Sequence, residues 1–139
     1  ILKKELLQIP VFGWHLKKIG SISINRDKIS KDNYGFYDKI INITNNTKRP
    51  VIIFPQATRT SPDEKIPFKK GVSKIYEKLN FICVPVALNS GDVWPKNGSL
   101  KPNKTIRVSI INSIPSGLKT EDFRNKIQEN LYNELDKIR

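Results

Sequence analysis

The sequence has no methionine, one cysteine, one histidine, and alanine only at positions 57 and 87. A lone cysteine, Cys83, excludes a disulfide framework and a cysteine-rich zinc site. Long apolar runs are also missing. Val51-Ile52-Ile53-Phe54, among the longest, falls far short of the about 20 residues that span a bilayer. A transmembrane helix is therefore excluded for these 139 residues. No apolar segment of signal-peptide length follows Lys3 and Lys4. With no initiating Met, the chain is expected to be a fragment, or else a processed product.

What is present suits one domain, spanning 1–139, with a hydrophobic share of 37% arranged in dense clusters. Lys and Arg number 25 against 13 Asp and Glu, a formal charge of +12. Such a balance invites a nucleic-acid reading. Yet 19 of the basic residues are Lys and only 6 are Arg, whereas base-edge readers lean on Arg. Heavy use of Ile, Lys and Asn beside scarce Ala points to an AT-rich genome, so no nucleic-acid partner is expected. Anionic lipid headgroups fit better, since each Lys or Arg near a membrane can contribute about 1 kcal/mol.

Along the chain, residues 3–9 read as a short helix stopped by Pro10. Residues 11–20 read as a second, with Phe12, Leu16 and Ile19 on one face and Gly20 as its stop. Residues 21–26 alternate as a strand does, Ile22 and Ile24 on one side. Phe36, Ile40 and Ile43 mark a helix over 36–45. Residues 51–54 have the β-branched and aromatic character of a strand buried on both faces, broken at Pro55. A polar loop follows to Pro67, then a helix over 71–79, a buried strand over 81–88, and a loop over 89–104. Residues 105–114 read as a strand. Thr120 is the expected N-cap of a last helix, with Glu121 and Asp122 in its first turn and Phe123, Ile127, Leu131, Leu135 and Ile138 along one stripe.

This order predicts an α/β domain with a mostly parallel central sheet flanked by helices. Ligands in such folds sit beyond the carboxyl ends of strands. The loops after residues 54 and 88 are therefore where chemistry is expected. Arg59 stands just past one strand and Arg26 ends another. Each can grip a carboxylate or phosphate through its planar fork, or can be a surface Arg tied to a neighbouring acid. Two such residues at strand ends favour convergence on one anion. Cys83, inside a strand with no His or second Cys beside it, reads as a core residue. Trp14 and Trp94 read either as interfacial anchors or as packing residues.

Three segments together resemble a known family. Gly20-Ser21-Ile22-Ser23-Ile24-Asn25-Arg26 resembles the second conserved block of the PlsC-type glycerolipid acyltransferases, commonly Gly-x-Ile-Phe-Ile-Asp-Arg. Phe54-Pro55-Gln56-Ala57-Thr58-Arg59 resembles the third, Phe-Pro-Glu-Gly-Thr-Arg, and Val84-Pro85-Val86-Ala87-Leu88-Asn89-Ser90-Gly91 the fourth. The stretch Lys4-Glu5-Leu6 to Ile9-Pro10-Val11-Phe12-Gly13-Trp14 resembles the family's lead-in. Order and spacing agree over about the first hundred residues, most strongly over 3–91. The first block, His-x4-Asp, is absent from these residues. His15 is followed five residues on by Gly20, so it is assigned a structural or surface role. The family resemblance puts the missing His and Asp upstream of Ile1.

The resemblance implies transfer of a fatty acyl group from acyl-CoA or acyl carrier protein to the sn-2 hydroxyl of lysophosphatidic acid, giving phosphatidate. It implies no cofactor or metal beyond the acyl donor, and a peripheral position on the cytoplasmic face of the inner membrane. Without the first-block base this stretch alone is expected to be inactive. Arg26 and Arg59 match residues that hold the acceptor phosphate. Gln56, Ala57 and Thr58 match the acceptor-site loop, and Pro85 the block linked with the acyl donor. Lys69 and Lys70, opening a helix, offer either a secondary anion site or a solvated charge pair. Gln56 replaces the family's Glu, Ala57 its Gly and Ser23 its Phe, the first two bearing on acceptor preference or on retention of activity. The alternatives are an acyltransferase for another lyso-lipid, or a non-catalytic remnant that binds anionic lipid.

Overall fold

The computed structural model describes residues 1–24, 35–47 and 49–139. Two compact units emerge, Ile1–Ile53 and Phe54–Arg139. The class is α/β, and the strands assigned among the described residues form two short sheets, one parallel and one antiparallel. Arg26 lies outside the described residues.

In the first unit the segment expected as one helix divides. Leu2–Lys3 forms β1, which pairs in parallel with β2, Ser23–Ile24. A 3-10 turn, Lys4–Gln8, follows. Helix α1, Phe12–Lys18, then packs its second residue, Gly13, against that turn. A Cβ at Gly13 would lie 2.2 Å from the Leu7 carbonyl oxygen, so only glycine permits the crossing. The helix ends as the sequence indicates. Gly20 has φ of +69°, the Gly20 N–H donates to the Lys17 carbonyl (3.0 Å) and the Ser21 N–H to the Leu16 carbonyl (2.9 Å). These are the two bonds of a glycine C-cap. Helix α2, Phe36–Thr47, buries Phe36, Ile40 and Thr44. Thr44 takes the inward place expected of Ile43, and its hydroxyl donates back to the Ile40 carbonyl (2.9 Å).

Residues 51–54 depart from expectation. No strand is assigned there among the described residues, and Ile52 and Phe54 are each 68% exposed. Their neighbours Val51 and Ile53 are half-buried. The run is thus covered on one side only. Consecutive β-branched residues encode extended backbone, but apolarity alone does not say how many faces are covered.

The second unit contains α3 (Lys70–Leu79), β3 (Val86–Leu88), α4 (Ser90–Val93), β4 (Val108–Ile110) and α5 (Thr120–Ile138). Strands β3 and β4 pair antiparallel, with Ala87 opposite Ser109. Only Ala87 of β3 points into the core; Val86 and Leu88 face outward, so this strand too is covered on one face. The core joins Phe68, Val72, Ile75 and Tyr76 to Phe123, Ile127 and Tyr132. The Tyr76 and Phe123 rings stack at 3.7 Å, inclined by 5°. The Tyr76 hydroxyl donates to the Pro115 carbonyl and accepts the Leu118 N–H (3.2 Å), which sets the entry to α5. The cap position of α5 is Lys119, one residue before the expected Thr120, and no side chain caps it. Ser109 donates to Glu134 (2.7 Å), tying β4 to α5. That bond, reinforced by Lys137, holds the Glu134 carboxyl below its ordinary range. Cys83 bridges to Ile114 through both backbone bonds; it is half-buried rather than a core residue, and that burial raises its thiol pKa. No helix among the described residues is long and apolar enough to cross a membrane.

Candidate active site

The third-block loop begins with a tight turn. The Phe54 carbonyl accepts the Ala57 N–H (3.0 Å), and Ala57 sits at φ of 61°, in the left-handed region. This explains why glycine suits the position in the family pattern: alanine there places a Cβ against the backbone. The loop returns through the Lys69 N–H, which donates to the Pro55 carbonyl (3.1 Å). Within it, Ser61 N–H donates to Glu64 Oε2 (3.0 Å) and Glu64 N–H to the Ser61 carbonyl (3.0 Å).

Gln56 is fixed from below. Its Nε2 donates to the Tyr132 hydroxyl (3.2 Å), which donates in turn to the Ile66 carbonyl (2.6 Å). Because the hydroxyl proton is committed to Ile66, the residue at 56 must bring a proton of its own. An ionised Glu has none. The replacement of Glu by Gln is therefore matched to this network.

The fourth-block segment is held by Asn89, which is buried at the end of β3. Its side chain imitates backbone, accepting the Arg107 N–H at Oδ1 (2.7 Å) and donating from Nδ2 to the Thr105 carbonyl (3.3 Å). Helix α4 starts at the next residue, within a stretch expected to be loop.

The two segments meet at a hollow of about 300 Å³ lined by the 54–64 loop, β3, α4 and α5. Phe54, Val86, Leu88, Trp94, Leu131 and Leu135 give it apolar walls. Arg59, Lys96 and Arg139 supply cations, with Glu64 and Asp92 as the acids. Arg139 forms a clamp. Its Nε donates to both Asp92 oxygens (3.1 and 3.0 Å), one terminal nitrogen donates to Asp63 (2.7 Å) and Asp92 (2.9 Å), and the other to the Pro62 carbonyl (3.0 Å). A single guanidinium thus joins the third-block loop to α4. These carboxylates raise its pKa further, so it stays charged. Arg59, in contrast, is in no ion pair among the described residues.

Of the residues singled out in the sequence, Gln56 and Arg59 line the hollow. Thr58 is exposed at the turn, its hydroxyl 3.4 Å from the Arg59 carbonyl. Pro85 is buried, its carbonyl accepting the Ile111 N–H (3.0 Å). Lys69 and Lys70 stand at the start of α3, away from the hollow walls. His15 is exposed on α1. Sequence reasoning missed Asn89, Lys96, Tyr132 and Arg139. Tyr132 carried a signal, since it lies beside the Ile127–Leu131 stripe and widens it. Arg139 carried none, its partners being 47 and 76 residues away.

The 54–64 loop and the segment after β3 thus meet at a cation-bearing, apolar-walled hollow within an α/β chain. Comparison with known proteins supplies the family. A family profile described as Acyltransferase matches residues 1–89. A 1-acyl-sn-glycerol-3-phosphate acyltransferase of Pseudomonas aeruginosa is 32% identical over 112 residues, covering 79% of this chain and 42% of the relative. Its namesake in Helicobacter pylori is 30% identical over 138 residues, 96% of this chain and 56% of the relative. A third, in Saccharomyces cerevisiae, is 28% identical over 144 residues, 98% of this chain and 47% of the relative. The chain belongs to the acyltransferase family, in its PlsC-type glycerolipid branch. It spans about half the length of the curated relatives it matches. No solved structure matches it.

Proposed function

We propose that this chain forms the acceptor-binding part of a 1-acylglycerol-3-phosphate O-acyltransferase, which acylates the sn-2 hydroxyl of lysophosphatidic acid in phospholipid synthesis. The observation that carries the reading is the convergence of Arg59, from the third block, with Ser90 and Gly91, from the fourth, on one hollow. Arg59 has no carboxylate partner there and is available to a phosphomonoester. The apolar walls suit an acyl chain. Arg26 takes the same phosphate-binding role by its place in the second block. Gln56, Ala57 and Thr58 shape the acceptor loop, Pro85 the donor side, and Lys69 and Lys70 a secondary anion site.

The acyl donor is a thioester of CoA or of acyl carrier protein, and no further cofactor takes part. Transfer requires a base for the acceptor hydroxyl. His15, followed five residues on by Gly20, does not match the family's His-x4-Asp pair, to which that role is assigned. The site works peripherally at the cytoplasmic face of the inner membrane. Supporting this, Val11, Phe12, Trp14 and Ile19 are exposed on or beside α1, next to Lys17 and Lys18.

The test is acyl transfer to lysophosphatidate, with acyl-CoA and with acyl carrier protein, by this chain alone. No turnover is expected, together with measurable lysophosphatidate binding that Arg59→Ala weakens. Turnover by these residues would overturn the assignment of the base. Binding indifferent to Arg59 would overturn the acceptor site. A non-catalytic anionic-lipid binder is favoured instead if joining a His-x4-Asp-bearing segment restores no turnover while vesicle retention persists.

A further inference from the structure

Arg59 also lines a second hollow, of about 330 Å³, which shares residues 59–62, Glu64 and Lys96 with the first. Thr60, Ser61, Pro95, Lys96 and Asn97 line it, with Glu64 as its single acid. Among the described residues, Arg59, Lys96 and Glu64 are the charged groups that border both hollows. Lys96 is anchored by the chain around it. The Lys101 N–H donates to the Val93 carbonyl (2.8 Å), closing the loop over 93–101. Gly98 folds over the Pro95 ring, where an added Cβ would lie 2.8 Å from Pro95 Cγ. One turn earlier, Asp92 is held by the Arg139 clamp.

The charges around these walls have separate fates. Asp92 and Asp63 are committed to Arg139. The Glu64 carboxylate accepts the Ser61 N–H. Arg59 and Lys96 are in no ion pair among the described residues. At the second hollow Arg59 alone is balanced by Glu64; only with Lys96 does the wall become net positive. The hydroxyls of Thr60 and Ser61 and the Asn97 amide add polar groups able to meet phosphate oxygens.

We infer that Lys96 is a further cation of the phosphate subsite, acting with Arg59 to hold the phosphomonoester of the acceptor in the polar hollow while its acyl chain lies along the apolar one. This rests on the acceptor reading proposed above and names a residue outside the three family blocks. Lys96 is a substrate-binding residue here. Its ammonium acts as a point charge, so arginine at this position preserves the function and a neutral side chain does not.

Calorimetric titration of the 139-residue chain with a short-chain lysophosphatidate tests the assignment, with inorganic phosphate and the matching monoacylglycerol as separate arms. Lys96→Ala is expected to weaken lysophosphatidate binding about five- to tenfold, the range of one charge-assisted contact at a partly exposed site. Lys96→Arg is expected to stay within about twofold of the parent, and monoacylglycerol binding to be unchanged in either variant. Inorganic phosphate should compete in the parent and lose that effect in Lys96→Ala. Thermal melting of both variants checks the fold, and Lys96→Gln replaces Lys96→Ala should the latter melt early. If Arg59→Ala weakens binding and Lys96→Ala does not, the inference fails and the acceptor reading stands. If neither weakens it, both fail.

Discussion

The two units of this chain are held together by different means. Over its described residues Ile1–Ile53 relies chiefly on backbone fit: a two-residue parallel pairing, a glycine where α1 crosses the preceding turn, and a glycine at the end of α1, where Arg49 adds one long-range side-chain bond to the Ile19 carbonyl (2.8 Å). Its described buried apolar side chains are Ile22, Phe36 and Ile40, while Trp14 on α1 is 68% exposed. Phe54–Arg139 relies on side chains. Aromatic rings stack between α3 and α5, and polar groups far apart in sequence reach across the unit: Gln56 to Tyr132, Asn89 to Arg107, Arg139 to Asp63 and Asp92. The contrast bears on function. A hollow whose walls come from distant segments needs long-range polar ties to keep its shape, and the second unit builds one.

Breaking each kind of tie sharpens the contrast. The largest effect is expected at Gly13. A Cβ 2.2 Å from the Leu7 carbonyl oxygen and 2.6 Å from its carbon meets backbone that cannot step aside. Gly13→Ala should destabilise the first unit by about 3 kcal/mol, the upper part of the overpacking range. Hydrogen exchange should then show lost protection in α1 and β1 with α3 and α5 retained; uniform protection would mean that the crossing is not tight. Arg139→Ala comes next. It removes every bond of the clamp, but the guanidinium is 26% exposed, so solvent screening limits the loss to about 2 kcal/mol. Trp94, at the end of α4, reports locally: in a Trp14→Phe background its emission should shift in Arg139→Ala and less in Arg139→Lys. An unshifted spectrum would separate α4 from the clamp.

How far the sequence could be read follows the same divide. Local signals held best where a glycine sets the backbone, and less well at Thr120, whose expected cap falls one residue earlier. Gly20 ends α1 as its position implies, and Ala57, at the family's Gly position, occupies the left-handed conformation. The stripe from Phe123 to Leu135 correctly marked α5, of which Leu131 and Leu135 prove to line the hollow. Coverage was less legible. Residues 51–54 and β3 have the composition of strands buried on both sides, yet each is covered on one, because composition records what a face tolerates rather than what lies against it. Arg59, marked by its motif, does line the hollow; Tyr132 and Arg139 were not legible, since their partners are set by tertiary folding.

A smaller effect is expected from restoring the family's acid at position 56. In Gln56→Glu the ionised carboxylate has no proton for the Tyr132 hydroxyl, whose own proton serves the Ile66 carbonyl. Either the hydroxyl turns to the carboxylate and leaves Ile66 unsatisfied, or two lone pairs face each other. The loss should be about 1 kcal/mol at neutral pH and should shrink as the Glu is protonated. Chemical denaturation at pH 7 and at pH 4 measures both. Equal losses at the two pH values would place the cost outside this network.

The smallest effect carries a sign that the contacts alone would not give. Ala57 at φ of 61° bears the left-handed penalty of an L-residue, about 1 kcal/mol or somewhat more. Glycine removes that penalty but adds freedom to the unfolded chain, a cost of about 0.4–1 kcal/mol. Ala57→Gly should therefore stabilise the second unit by about 0.5 kcal/mol, read as a raised denaturation midpoint at constant slope. A lowered midpoint would mean that the Ala57 methyl makes packing contacts worth more than the strain it imposes. In that case the alanine belongs to the stability of the loop. A raised midpoint would instead mark it as a tolerated departure at a turn built for glycine.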